Sequence, residues 1–334
     1  MSSSLWTNME IEGATNASTD GRNWSASGVS IDSRKVQPKD IFIAFKGSRV
    51  DGHCYVADAF EKGAAAAIVE RKIDGLSEER PILIVENVQK ALFQIACLAR
   101  NRSEAEFVAV TGSVGKTSSK NLLAKALAQF DSVHATIGNL NNHIGAPLSL
   151  ARLNASSRFA VFELGMNNTG EIALLSNLMR PKVALITNVH GVHLEQLKTE
   201  RAIAEAKSEI FNGLLENGSA VLNQDSPWIN LLKSRAEKKG IKNIITFGED
   251  KKSDVQLLDW QSGEGKSFVK IQLNNEPYQY VLSETGKHRA LNSVGVLAVV
   301  HALGLDIQHA AKCFKSITTP VGRGGQKNIN LTTE

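Results

Sequence analysis

The sequence predicts an α/β protein in which a mainly parallel, doubly wound sheet carries antiparallel strands on one edge. Three observations lead there. Short apolar runs such as "PILIVE", "FVAV" and "VALITNV" alternate with stretches of helical period. A glycine loop follows directly on one of those runs, in "VAVTGSVGKTSSK". After "NIITFG" the texture changes to three strand-like stretches in succession, separated by Gly, Asn and Pro.

Residues 1–104 alternate the runs "DIFIAF" and "PILIVE" with the helical stretches "YVADAFEKGAAAA" and "VQKALFQIACLARNR", which predicts an N-terminal α/β domain. A second α/β domain, 105–322, opens at "EFVAVTG", and its runs "FVAV", "RFAVFEL", "KVALITNV" and "GSAVLN" each lead through polar turn residues into a helical period. "DVQLLDW", "SFVKIQL" and "YQYVLSE" read as the antiparallel edge. Two helices, at about 288–303 and 306–316, close this domain, and residues 323–334 begin a Gly-rich linker.

Composition bounds the function. The chain has 334 residues, 42% hydrophobic and 22% charged, which suits two compact globular domains. Its net charge of +4 comes from 38 basic and 34 acidic residues with no block of like charge, so nothing reads as a nucleic-acid arm. Cys54, Cys97 and Cys313 are far apart and lack metal-ligand spacing; buried thiols in a reducing compartment are expected. The start "MSSSLWTNMEIEG" does not read as a signal peptide, and no segment reaches the ~18 apolar residues of a membrane span. A cytoplasmic protein is expected.

The loop is the most informative stretch. It ends in Gly-Lys-Thr, yet Val110 stands where a phosphate loop usually has its first glycine. Gly112 and Gly115 flank Ser113 and Val114 directly after an apolar strand, and Leu123, Ala126, Leu127 and Phe130 give the following residues one helical face. Strand, glycine loop and helix N-terminus together form an anion cradle. Backbone N–H groups of Thr111–Ser118 would face the phosphates of ATP or GTP, Lys116 would add a point charge, and the Thr117 hydroxyl would reach Mg²⁺. The alternative is a glycine turn before a surface helix.

Glu163 ends "FAVFEL" and His193 lies just beyond "VALITNV", at the strand ends where such sheets bind ligands; they read as metal ligands, acid/base groups or solvated loop residues. Lys207 is less ordinary. Ile203, Ile210, Phe211 and Leu214 stand at −4, +3, +4 and +7 from it, so the lysine lies mid-face on an apolar stripe. It either snorkels to water or turns toward the nucleotide.

These residues resemble the Mur ligase family. "TGSVGKT" is similar to that family's shortened loop, which accounts for Val110. "IGNLNNHIGAPLSL", "FELGM" and "AEAKSEIF" resemble members that add D-alanyl-D-alanine, "SIDSRKVQPKDIFIAFKGSRVDGH" a uridine-nucleotide segment, and "GKHRALN" with "PVGR" late ATP contacts. The resemblance implies ATP-dependent amide ligation: D-alanyl-D-alanine joined to UDP-N-acetylmuramoyl-tripeptide through an acyl phosphate, in peptidoglycan precursor synthesis and so in cell-wall growth, shape and division. It implies Mg²⁺ on Thr117, Glu163, His193 and a carbamylated Lys207, with Lys116 on phosphate. His288 and Asn292 would lie by base and ribose, and Arg323 by the phosphates. Asp32, Ser33 and Arg34 would face the uridine nucleotide; Asn139, Asn141 and Asn142 would face the peptide. A monomer is expected, with a third, C-terminal domain absent from this chain. Other readings are a relative using a different amino acid, a module that binds ATP and UDP-muramoyl-peptide without full catalysis, and a P-loop kinase or GTPase switch.

Overall fold

The structure, a computed structural model, describes residues 4–19, 21–48, 50–191 and 199–316. The chain opens with β1 (Trp6–Thr7) and α1 (Asn8–Thr15). Thr7 and Glu10 cap this helix reciprocally, each side chain accepting the other's backbone N–H, so two donors bare in the first turn are satisfied. β2 (Ser25–Ala26), β3 (Gly28–Ser30) and β4 (Asp40–Ile43) lead to α2 (Val56–Glu61), β5 (Ala66–Val69), β6 (Ile82–Ile84) and α3 (Val88–Arg102).

The stretch expected to be one helix is a helix followed by a strand. "YVADAFEKGAAAA" is helical only to Glu61; Gly63 turns left-handed at φ 90°, and Ala66–Val69 is a fully buried strand. Alanine's helix propensity is a weak preference, and a parallel strand paired on both sides overrides it.

Then come β7 (Glu106–Thr111), α4 (Lys116–Leu127), β8 (Val133–Ala135), α5 (Gly145–Ala151), β9 (Phe159–Glu163), α6 (Glu171–Met179) and β10 (Val183–Ile186). α7 (Glu200–Ser208) tightens into a 3₁₀ turn at Glu209–Asn212, followed by β11 (Ser219–Asn223), α8 (Ile229–Lys238) and β12 (Asn243–Gly248). β13 (Val255–Gly263), β14 (Lys266–Leu273) and β15 (Glu276–Leu282) precede α9 (Lys287–Ala302) and α10 (Ile307–Ala311), which ends in a 3₁₀ turn.

The chain forms two compact units. The first comprises Met1–Ala109, Ser132–Lys182 and Glu209–Leu215. It contains the parallel sheet β3-β4-β5-β6, with Phe42, Val56, Ala59, Phe60 and Val69 in one apolar cluster. It also holds the strand order β7-β9-β8. The Trp6 ring is buried there and donates from Nε1 to the Ala151 carbonyl at 2.8 Å.

The second unit comprises Val110–Asp131, Val183–Ser208 and Glu216–Glu334. Its strands run in the order β15-β14-β13-β12-β11-β10. Pairing is parallel from β10 to β13 and antiparallel from β13 to β15. All of β10 is buried, whereas along β14 the residues alternate exposed and buried at first, as expected where one face of an antiparallel edge meets water.

The cysteines are free thiols. Burial raises the pKa of Cys97 and Cys313, but Cys54 is exposed on a short 3₁₀ turn, contrary to the expectation of three buried thiols. No helix among the described residues is long and apolar enough to cross a membrane.

Candidate functional site

The second unit builds the phosphate loop. Val110 and Thr111 are the buried end of β7, so the strand runs two residues further than the usual motif would allow and only Gly112–Gly115 separate it from α4. The turn is made at the two glycines. Gly115 caps α4 in the left-handed region at φ 84°. Gly112, at φ 151°, lies so close to Thr187 that a Cβ would overlap its Oγ1. The missing opening glycine is therefore a strand residue that needs no positive φ.

Lys116 reaches back across this loop, its Nζ donating to the Gly112 carbonyl at 2.7 Å and the Ser113 carbonyl at 3.3 Å. Lys207, only 2% exposed, makes no hydrogen bond or ion pair with another described residue. Burial first, and the charge of Lys116 second, pull its pKa down to about 7. Two lysines that feel each other's charge, one of them buried, favour an anion between or beside them.

The start of α9 closes on the same loop. Asn292 packs so tightly on Gly115 that a Cβ there would come within 2.6 Å of its amide nitrogen. Arg289 donates to the Ser118 hydroxyl at 2.6 Å and stands 3.6 Å from Glu284. His288 is exposed.

The first unit holds the remaining described candidates. Glu163, 1% exposed at the end of β9, accepts from the Asn141 side-chain amide at 2.7 Å. The Asn142 side chain caps the turn into α5, accepting from the Gly145 N–H at 2.7 Å and the Ile144 N–H at 3.2 Å. Asn139 is exposed. Asp32 and Arg34 form a two-pronged ion pair with both contacts at 2.9 Å, Asp32 also capping the turn through the Arg34 N–H, and Lys62 donates to the Ser33 carbonyl at 2.7 Å. The Arg34 hydrogen bond is the main cause that lowers the Asp32 pKa to about 2. His193 and Arg323 lie outside the described residues.

Sequence reasoning missed the residues that shape the loop: Thr187, Asn188 and His190, just past β10. Their only sequence signal is polar residues at a strand's C-terminal end.

The family model for the Mur ligase middle domain matches residues 110–300, and the model for the Mur ligase family, catalytic domain, matches 25–100. The UDP-N-acetylmuramoyl-tripeptide–D-alanyl-D-alanine ligase of Rickettsia prowazekii (strain Madrid E) is 38% identical over 91% of this chain and 67% of the relative. That of Escherichia coli (strain K12) is 40% identical over 92% and 67%, and that of Bacillus subtilis (strain 168) 37% over 85% and 60%. The chain thus spans 60 to 67% of the length of these curated relatives. A crystal structure of MurF from Acinetobacter baumannii superposes with a TM-score of 0.86 at 30% identity, covering 97% of this chain and 71% of that one. MurF ligase from Thermotoga maritima in complex with ADP gives 0.72 at 31% identity, covering 88% and 66%. With the family models on both parts of the sequence and relatives near 40% identity along most of it, the chain belongs to the Mur ligase family.

Proposed function

We propose that this chain carries the ATP-binding and uridine-nucleotide-binding parts of a ligase that joins D-alanyl-D-alanine to UDP-N-acetylmuramoyl-tripeptide. The observation that carries the reading is the four-residue loop between β7 and α4, turned at Gly112 and Gly115 and spanned by Lys116. A helix N-terminus with a lysine folded over it is built for phosphate oxygens, which can replace the two loop carbonyls as partners of the ammonium. The relatives' names and the ADP-bound neighbour supply the substrates.

The chemistry follows from charge. The tripeptide's terminal carboxylate is a poor acylating agent; taking the γ-phosphoryl group of ATP converts it to an acyl phosphate, from which the dipeptide amine displaces phosphate. Lys116 neutralises phosphate charge as it moves from ATP toward the carboxylate. Thr117, Glu163 and, in the family pattern, His193 would hold Mg²⁺, whose role is to polarise phosphate oxygens. Lys207 completes that set only as an anion. With its pKa near 7, a good share of its amine is unprotonated at neutral pH and can add carbon dioxide, releasing a proton and leaving a carbamate with two oxygen donors. His288, Asn292 and Arg323 are assigned to the nucleotide, Asp32, Ser33 and Arg34 to the uridine diphosphate, and Asn139, Asn141 and Asn142 to the peptide end. The domain boundary near 104, a monomeric state and a cytoplasmic location belong to the same reading.

Calorimetric titration of the full chain tests it. Saturable binding of both Mg²⁺-ATP and UDP-N-acetylmuramoyl-tripeptide is expected; no heat from either ligand at millimolar concentration overturns the proposal.

A further inference from the structure

Among the described residues, several hydrogen bonds tie the end of β7 and the phosphate loop to the segment that follows β10. The Thr187 N–H donates to the Thr111 carbonyl at 3.0 Å, and its Oγ1 donates to the Val114 carbonyl at 2.8 Å. Asn188 accepts twice, its carbonyl taking the Ser113 N–H at 3.0 Å and its side-chain oxygen the Val114 N–H at 2.9 Å. Ser113 Oγ donates to the His190 carbonyl and accepts the His190 N–H, both at 2.9 Å. Behind this segment, the Asn223 amide at the end of β11 donates to the Thr187 carbonyl at 3.2 Å.

We propose that Thr187 and Asn188 are positioning residues for nucleotide, a brace that fixes the shape of a loop too short to fix itself. The proposal rests on the loop's being a nucleotide site. A four-residue loop turned at two glycines has large backbone freedom to lose, and pre-ordering it lowers the entropy cost of binding. A carbonyl held by Thr187 is a carbonyl that does not swing toward phosphate oxygens, which it would repel. The Ser113 and Val114 amides, expected from the sequence to face phosphate, are instead taken up by Asn188, so the amides left to read the phosphates begin at Gly115, at the start of α4. Contact with Gly112 makes the fit mutual: the loop can approach Thr187 only because residue 112 has no Cβ.

The test uses the full chain, Mg²⁺-ADP as ligand, and the variants Thr187→Val, Thr187→Ser and Asn188→Ala. Amide exchange at Val114 is read without ligand, and ADP affinity by calorimetry. The parent should protect the Val114 amide, and Asn188→Ala should speed its exchange at least about tenfold, the worth of one hydrogen bond. Thr187→Val and Asn188→Ala should each weaken ADP about tenfold. Thr187→Ser, which keeps the hydroxyl, should stay within about threefold of the parent, a rescue that loss of general packing would not give. If Thr187→Val fails to fold, Asn188→Ala against Thr187→Ser carries the comparison. An unprotected Val114 amide in the parent, or a folded variant without its bond that binds ADP as the parent does, overturns the brace alone. A parent that binds no ADP overturns the nucleotide reading and the positioning role together.

Discussion

The phosphate loop and the Asp32–Arg34 turn are both assigned to nucleotide phosphates, yet they are built in opposite ways. In the loop it is the main chain that is held: two glycines and a strand end set its path, and its own amides and carbonyls bond to the segment after β10. The turn is fixed by side chains in water, and its arginine is 84% exposed while bonded to Asp32. A backbone site depends on shape and should fail abruptly when a single atom is added. A side-chain site depends on charge and should weaken gradually as charge is removed or screened. Two cations assigned to these sites repeat the contrast: Lys207 is buried and feels the charge of another lysine, Arg34 is exposed beside a carboxylate.

The sharpest way to break the comparison is Gly112→Ala. The added Cβ overlaps Thr187 Oγ1, so ATP affinity should fall about a hundredfold or more in calorimetry, as expected where backbone geometry is forced. ATP binding within a few-fold of the parent would mean that the loop is not rigid.

Lys207→Met comes next and reads stability. Lys207 has a folded pKa of about 7 against 10.5 for the ordinary amine. Between those values the unfolded chain holds more protons, so the parent's stability should rise with pH from about 7 to about 10 and lie flat below. The Met variant keeps the volume and drops the charge; it should be more stable than the parent at pH 7 by a few kcal/mol at most and lose this part of the slope. Denaturant unfolding at pH 7 and pH 9 in buffer freed of carbon dioxide, which keeps Lys207 as the amine, measures both, and a variant less stable than the parent at pH 7 would contradict the buried-charge account.

Arg34→Ala should weaken UDP-N-acetylmuramoyl-tripeptide about tenfold without changing ATP binding. Raising salt should weaken the same ligand in the parent, a screening effect that titration at two ionic strengths resolves. The smallest effect is expected from Asp32→Asn. Arg34 lowers the Asp32 carboxyl to about 2, so its contribution is present above about pH 4 and lost as the pH falls toward 2. At pH 7 an exposed pair of this kind should move the thermal midpoint by only about a degree.

How legible these features were depends on how local their causes are. The β10 and β11 strands are dense in β-branched and aliphatic residues, and β14 alternates, so both kinds of strand announce themselves. Gly-Lys-Thr after an apolar strand marked the loop, and a lysine amid Ile203, Ile210 and Phe211 marked Lys207 as unusual, because each signal lies within one element or turn; that its head is buried and does not snorkel to water is seen only in the fold. "EKGAAAA" misled because alanine's preference is weak and its strand partners lie elsewhere in the chain. The brace was invisible for the same reason, Val114 and Asn188 being 74 residues apart. Asn142 shows a subtler limit: its residue type suits a substrate contact or a cap, and only the hydrogen bond to Gly145 shows which backbone it serves.

The central claim is that the loop at Gly112–Gly115, with Lys116 folded over it, holds nucleotide phosphates. Titration of Mg²⁺-ATP into the parent chain and into Lys116→Ala tests it most directly, with thermal unfolding recorded on both. Lys116 is half-buried and bonded to loop carbonyls, not packed in the core, so the variant should unfold close to the parent's midpoint and bind ATP at least about a hundredfold more weakly, as expected for loss of a charged phosphate contact. A folded Lys116→Ala chain that binds ATP as tightly as the parent would contradict it.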